Sequence, residues 1–150
     1  MKPRGGRGEA ALFAGDVAGV RIGTGPVVPP CPPPDIHVED WQASIQLLRD
    51  LPVEQIYLTH FGLVADKQQH LNDLEARLLA SAEWMRPYAE ANTPVEEVVP
   101  KFKAFALAEL AAAGVDEEGL LRYDLANPAF MSVAGLMRYW KKRWAAEGGR

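Results

Sequence analysis

Two short apolar runs limit what this chain can become. Leu12-Phe13-Ala14 and Ile56-Tyr57-Leu58 are apolar and aromatic enough to be strands, and both read as buried on two faces. Two strands are too few for a stable sheet of their own, so the pattern calls for neighbours from elsewhere. A third candidate, Val20-Arg21-Ile22, is brief and alternating. Each of the two runs also ends near a side chain able to bind a metal. Gly15-Asp16 follows the first, and Thr59-His60 follows the second. An aspartate oxygen and a histidine nitrogen brought together at strand ends can share one divalent cation.

Between the two runs lies Val28-Pro29-Pro30-Cys31-Pro32-Pro33-Pro34. Proline lacks the backbone donor and fixes φ, so this segment is neither helix nor central strand. It reads as an extended connector of polyproline type whose valines lie against the domain surface. Trp41, Ile45, Leu48 and Leu51 then recur at helical spacing, which predicts an amphipathic helix from about Val38 to Asp50, ended by Pro52. Asp35 is positioned to cap it. Helix, short turn and buried strand make the αβ half of a βαβ unit.

From Asp66 onward the periodicity is helical. Leu71, Leu74, Leu78 and Leu79 mark a long helix to about Ala89, extended by Trp84, Met85 and Tyr88. Thr93-Pro94-Val95-Glu96 reads as a capping box with proline at the first helical position. The helix it opens runs through Phe102, Phe105 and Leu110 to Gly114, bent near its start by Pro100. A short helical turn at Glu117 to Tyr123 and a final helix from Asn127-Pro128 to Trp144 complete the chain. The basic end, Lys141-Lys142-Arg143, suits the carbonyl end of that helix.

Length and composition remove several function classes. At 150 residues the chain fits one ordinary domain, and 48% hydrophobic with 24% charged residues is usual for a globular protein. A net charge of −4 provides no general attraction to nucleic acid or an anionic membrane. A single cysteine excludes an intrachain disulfide framework, and no apolar run approaches the ~20 residues that span a bilayer. The expected location is cytoplasmic. The basic, glycine-rich stretch 1–8 reads as a flexible tail, 9–65 as an α/β unit and 66–150 as a helical region packed on it. A strand arriving so early fits a domain start, a late start codon or a chain lacking its first half.

Taken together, several of these segments are similar to a known family. The series Leu12-Phe13-Ala14-Gly15-Asp16, Pro29 to Pro34, the helix with Trp41 and Ser44, and Leu58-Thr59-His60-Phe61-Gly62 resembles the C-terminal half of metallo-β-lactamase-fold hydrolases, over about residues 9 to 85. The resemblance implies an α/β fold, half of an αβ/βα sandwich with few strands, followed by an α-helical C-terminal extension. It makes Asp16 the carboxylate that bridges two metal ions and His60 the imidazole on the second. The ions would be zinc, or manganese or iron, activating hydroxide against an ester, lactone, thioester or similar bond. The family's His-x-His-x-Asp-His signature has no counterpart, since the only histidines are His37, His60 and His70. The resemblance thus implies a truncated or partial enzyme, inactive alone, with a small-molecule substrate when complete.

Plainer readings stand beside these. Asp16 also reads as a turn aspartate, Asp66 as a helix cap, and His37 as a structural residue near a helix start. His70 reads as a solvent-facing or local contact, and Cys31 as a small buried residue. The aromatics Trp84, Phe102, Phe105, Phe130, Trp140 and Trp144 read as helix packing or dimer surface. The competing functional expectation is a non-catalytic helical module that dimerises or interacts through its C-terminal helices and strand edges. The partners expected are a second copy or a complementing N-terminal half.

Overall fold

The stripe along Leu71, Leu74 and Leu78 needs a surface to bury it, and in the computed structural model of the chain other helices supply most of that surface. The structure describes residues 11–31, 36–58 and 62–148. Strand β1 (Ala11–Ala14) leads into a 3-10 turn at Asp16–Ala18 and a loop closed by one bridge between Val20 and Val28. Helix α1 (Val38–Asp50), strand β2 (Gln55–Leu58) and strand β3 (Gly62–Val64) follow. Four helices come next: α2 (Lys67–Glu90), α3 (Val95–Ala112), α4 (Glu117–Ala126) and α5 (Ala129–Ala146).

The sheet has the order β1-β2-β3. β1 and β2 are parallel, pairing Leu12 with Ile56 and Ala14 with Leu58, and α1 forms the crossover between them. β3 runs back antiparallel, with Tyr57 opposite Leu63. Side chains alternate across strands. Ala14, Ile56, Leu58 and Val64 point into a core shared with the helices, whereas Phe13, Tyr57 and Leu63 form the other face.

The expected fold class does not hold. Five α-helices dominate the described residues, the sheet is small, and the architecture is not an αβ/βα metallo-β-lactamase sandwich or half of one. The physical reason lies in the later helices. Leu74, Leu78 and Met85 of α2, Val98 and Phe102 of α3, and Val133, Leu136 and Met137 of α5 bury one another. The core is therefore centred on helix packing, with the sheet at its margin. Val20 and Val28 make a bridge and not a strand, while β3 is the third strand that the sequence pattern left unread.

Local signals placed most helix ends. Asp66 caps α2 by accepting from the Gln69 amide at 3.1 Å. The N-cap of α1 is His37, whose Nδ1 accepts from the Asp40 amide at 3.2 Å; Asp35 lies outside the described residues. Thr93 makes no capping bond, because α3 starts at Val95, one residue later than a capping box on Thr93 requires. Trp84, Phe102 and Phe105 form an aromatic cluster, and Trp140 stacks on Trp144. Phe130, expected in helix packing or a dimer surface, is exposed and so is not part of the packing. Among the described residues no helix is long and apolar enough to cross a membrane.

α5 also reaches back to the start of α1. The Tyr139 hydroxyl donates to Glu39 Oε1 at 2.6 Å, and Arg143 donates to the same oxygen at 2.9 Å. Burial and the Glu39 contact push the Tyr139 hydroxyl up to about 12, so it stays a donor. Arg143 is therefore tied down, not merely part of a solvated helix end.

Candidate functional site

The turn after β1 is held by more side-chain bonds than its length requires. Trp41, on the inward side of α1, donates Nε1–H to the Val17 carbonyl at 2.7 Å. His70 of α2 lies 2.7 Å by Nε2 from the Ala18 carbonyl. Gly19 closes the turn with φ of +81°, and a Cβ there would meet Val27 Cγ2 at 2.6 Å and Leu74 Cδ1 at 2.8 Å. Only glycine fits both that backbone and that space. Asp16 itself is exposed at the start of this fixed turn.

Asp16 opens onto a cleft of about 340 Å³ whose far wall is α1, with His37, Asp40, Trp41 and Ser44. Of these, His37 Nδ1 is occupied by the Asp40 amide and lies 3.3 Å from Asp40 Oδ2. Among the described residues, no group of three or more His, Cys, Asp or Glu side chains is placed to hold a metal ion. His60 lies outside the described residues. The donors expected from the sequence, Asp16 and His60, number two, and a protein-held zinc takes three or four protein ligands. This chain's own expected residues thus do not complete a metal site.

His70 is not the solvent-facing residue its polarity suggests. It is 3% exposed, and its Nδ1 is buried without a partner among the described residues. A carbonyl only accepts, so Nε2 carries the proton in the neutral ring and Nδ1 is a bare acceptor. Burial lowers the His70 pKa below its usual 6.5, with nearby Arg21 acting the same way; the Ala18 carbonyl and Asp73 pull it up less strongly. Protonation at low pH would add a second N–H with nothing to receive it. The sign follows directly. Below 6.5 the unfolded chain takes the proton first, so stability is full above 6.5 and is lost as pH falls toward the lowered native pKa. His70→Gln keeps an amide donor for Ala18 without a titrating ring. Urea melts between pH 7 and 5 should show a shallower loss of stability in this variant than in the parent; equal slopes would reject the assignment.

Cys31 is 1% exposed, and burial pushes its thiol up to about 12. It is a packed residue and not a nucleophile at neutral pH. Lys67, also unremarked by the sequence pattern, is 5% exposed and donates to the carbonyls of Leu48, Arg49 and Leu51 at 2.9, 3.2 and 2.8 Å. Lys67 and His70 share the helical stripe of Leu71, Leu74 and Leu78, and that spacing was the signal available for both.

Comparison with protein-family models, with curated proteins and with solved structures finds no match to this chain in any of the three.

Proposed function

We propose that this chain supplies one side of a metal-dependent hydrolase site, with the Asp16 carboxylate and the His60 imidazole as ligands to a divalent cation. Zinc is the first candidate, with manganese or iron as alternatives. The observation that supports this reading is the parallel register of β1 and β2. Ala14 pairs with Leu58, and both strands leave the sheet in the same direction. Asp16 follows Ala14 by two residues, and His60 follows Leu58 by two. Ligand sites in parallel sheets gather outside such carboxyl ends. The turn carrying Asp16 is fixed by Trp41 and His70, the kind of support a ligand position needs.

Two ligands leave the cation undersupplied, so the remaining ligands would come from a complementing N-terminal half. The substrate class proposed is a carboxylic ester, lactone or thioester. A cytoplasmic location fits the lone, unpaired and buried Cys31. A second reading, a non-catalytic helical interaction module, is favoured by Leu121, Leu125 and Phe130, which stand exposed on α4 and the start of α5.

The deciding experiment is elemental analysis of the purified chain after equilibration with zinc, beside Asp16→Ala and His60→Ala. Sub-stoichiometric zinc in the parent, the weak binding that two ligands give without the complementing half, and its loss in both variants is the expected result. Asp16 is exposed, so its replacement should leave the thermal melt unchanged. Zinc retained equally by all three proteins, or by none, would overturn the reading.

A further inference from the structure

Residues of α2, α3, α4 and α5 line a cavity of about 50 Å³, with Val28 and Pro29 of the loop before α1. Its walls are largely apolar, and Phe102, Ala106 and Leu110 of α3 supply much of them. Four charged side chains also line it, and they are paired. Lys103 Nζ lies 3.0 Å from Asp124 Oδ2, and Arg77 Nη1 lies 3.6 Å from Glu109 Oε2. Ser81 of α2 stands apart from these pairs. It is 7% exposed, and its hydroxyl makes no hydrogen bond among the described residues. The oxygen keeps a small accessible surface, and the cavity is the space that Ser81 lines.

We propose that this cavity binds a small neutral molecule bearing a hydroxyl group, of the class of the short-chain alcohols. Size is the first argument. A buried water needs on the order of 10–15 Å³ and a cavity of about 150 Å³ takes benzene, so this one admits roughly three or four non-hydrogen atoms. Charge is the second. The two cations and two anions cancel, and an ionic ligand would have to break one of the pairs to find its own counter-charge. Ser81 is the third. A buried hydroxyl without a partner costs free energy, and a ligand hydroxyl can both donate to it and accept from it. The carbon atoms of the ligand then lie against Phe102, Ala106 and Leu110, an apolar body with one polar anchor. Water would satisfy Ser81 but gains nothing from those walls, so an alcohol that reproduces its hydrogen bond displaces it. The inference is independent of the metal reading, since it uses no residue of the Asp16 cleft.

Two-dimensional NMR of the nitrogen-labelled full chain, titrated with isopropanol, tests it. The amides of Ser81, Ala106 and Tyr123 should shift along saturable curves, with a Kd in the millimolar range expected of so few atoms. Ser81→Ala removes the anchor without disturbing the helix and should weaken binding by at least about threefold. Ala106→Leu fills the space and should abolish binding. Acetate and ethylammonium are close in size but charged, and cyclohexanol is too large, so none of the three should give saturable shifts. Shifts that stay linear in the parent, the response of a surface to altered solvent, would overturn the proposal. So would equal affinity in Ser81→Ala, binding retained by a folded Ala106→Leu, or acetate, ethylammonium or cyclohexanol binding as tightly as isopropanol.

Discussion

Lys67→Met is expected to destabilise the chain by about 2–4 kcal/mol, because it removes a buried charged donor and keeps the packing of the side-chain stem. Lys67 occupies the first position of α2, where the helix dipole disfavours a cation. Its place is explained by α1. The last turn of that helix leaves carbonyls without intrahelical donors, and Nζ reaches those of Leu48 and Arg49, together with that of the C-cap residue Leu51, which also accepts from the Val53 amide. One ammonium thus caps α1 from the next helix. For a domain of this length the loss corresponds to a fall in melting temperature of roughly 5–15 °C. Thermal and urea unfolding followed by circular dichroism would measure it. A change below about 0.5 kcal/mol would mean that water satisfies those carbonyls equally well.

The contrast between Lys67 and its helix shows what the sequence could carry. The bounds of α1 were readable because Ile45 and Leu48 repeat at helical spacing and Pro52 ends the run. The start of α2 was readable because Asp66 accepts from an amide only three residues away. Lys67 and His70 answer instead to carbonyls 16 to 19 and 52 residues earlier, which no local pattern reveals. Residue type argued for exposure, and position on the Leu71 and Leu74 stripe argued for burial. Position won, because the tertiary fold delivers an acceptor to each.

The fold class failed for a related reason. Leu12-Phe13 and Ile56-Tyr57-Leu58 do form parallel strands, as read. Alternation, however, leaves Phe13 in solvent, and the sheet gains only the three residues of β3. The apolar stripes of α2, α3 and α5 were legible one by one. That they satisfy each other, and not a larger sheet, depends on packing between helices far apart in sequence. The candidate site was legible at Asp16 as a strand-end carboxylate. Its supports were not, since Trp41 and His70 bond to backbone carbonyls of the turn and carry no motif for doing so.

Gly135→Ala provides the sharper test of that packing, because two physical effects predict opposite signs. Gly135 lies inside α5, where helix propensity alone would make alanine stabilising by about 1 kcal/mol. The space forbids it. An added Cβ would overlap the carbonyl oxygen of Cys31, lie 3.0 Å from its carbonyl carbon and 3.1 Å from Ile36 Cδ1. Two of those three atoms belong to the backbone of a proline-stiffened segment, which cannot rotate aside as a side chain would. α5 and the connector must therefore separate, and the expected net loss is about 3 kcal/mol or more, at or beyond the usual range for overpacking. The separation has its own local readout. Cys31 is sealed in the parent, with a thiol that burial holds near 12, so it should resist a maleimide reagent in the native state. In Gly135→Ala the thiol should be modified markedly faster under native conditions. Since Pro30 and Ile36 on this connector also line the Asp16 cleft, the same displacement should loosen the cleft wall. An unchanged or raised melting temperature, with Cys31 still protected, would show that the connector yields and that helix propensity decides the outcome.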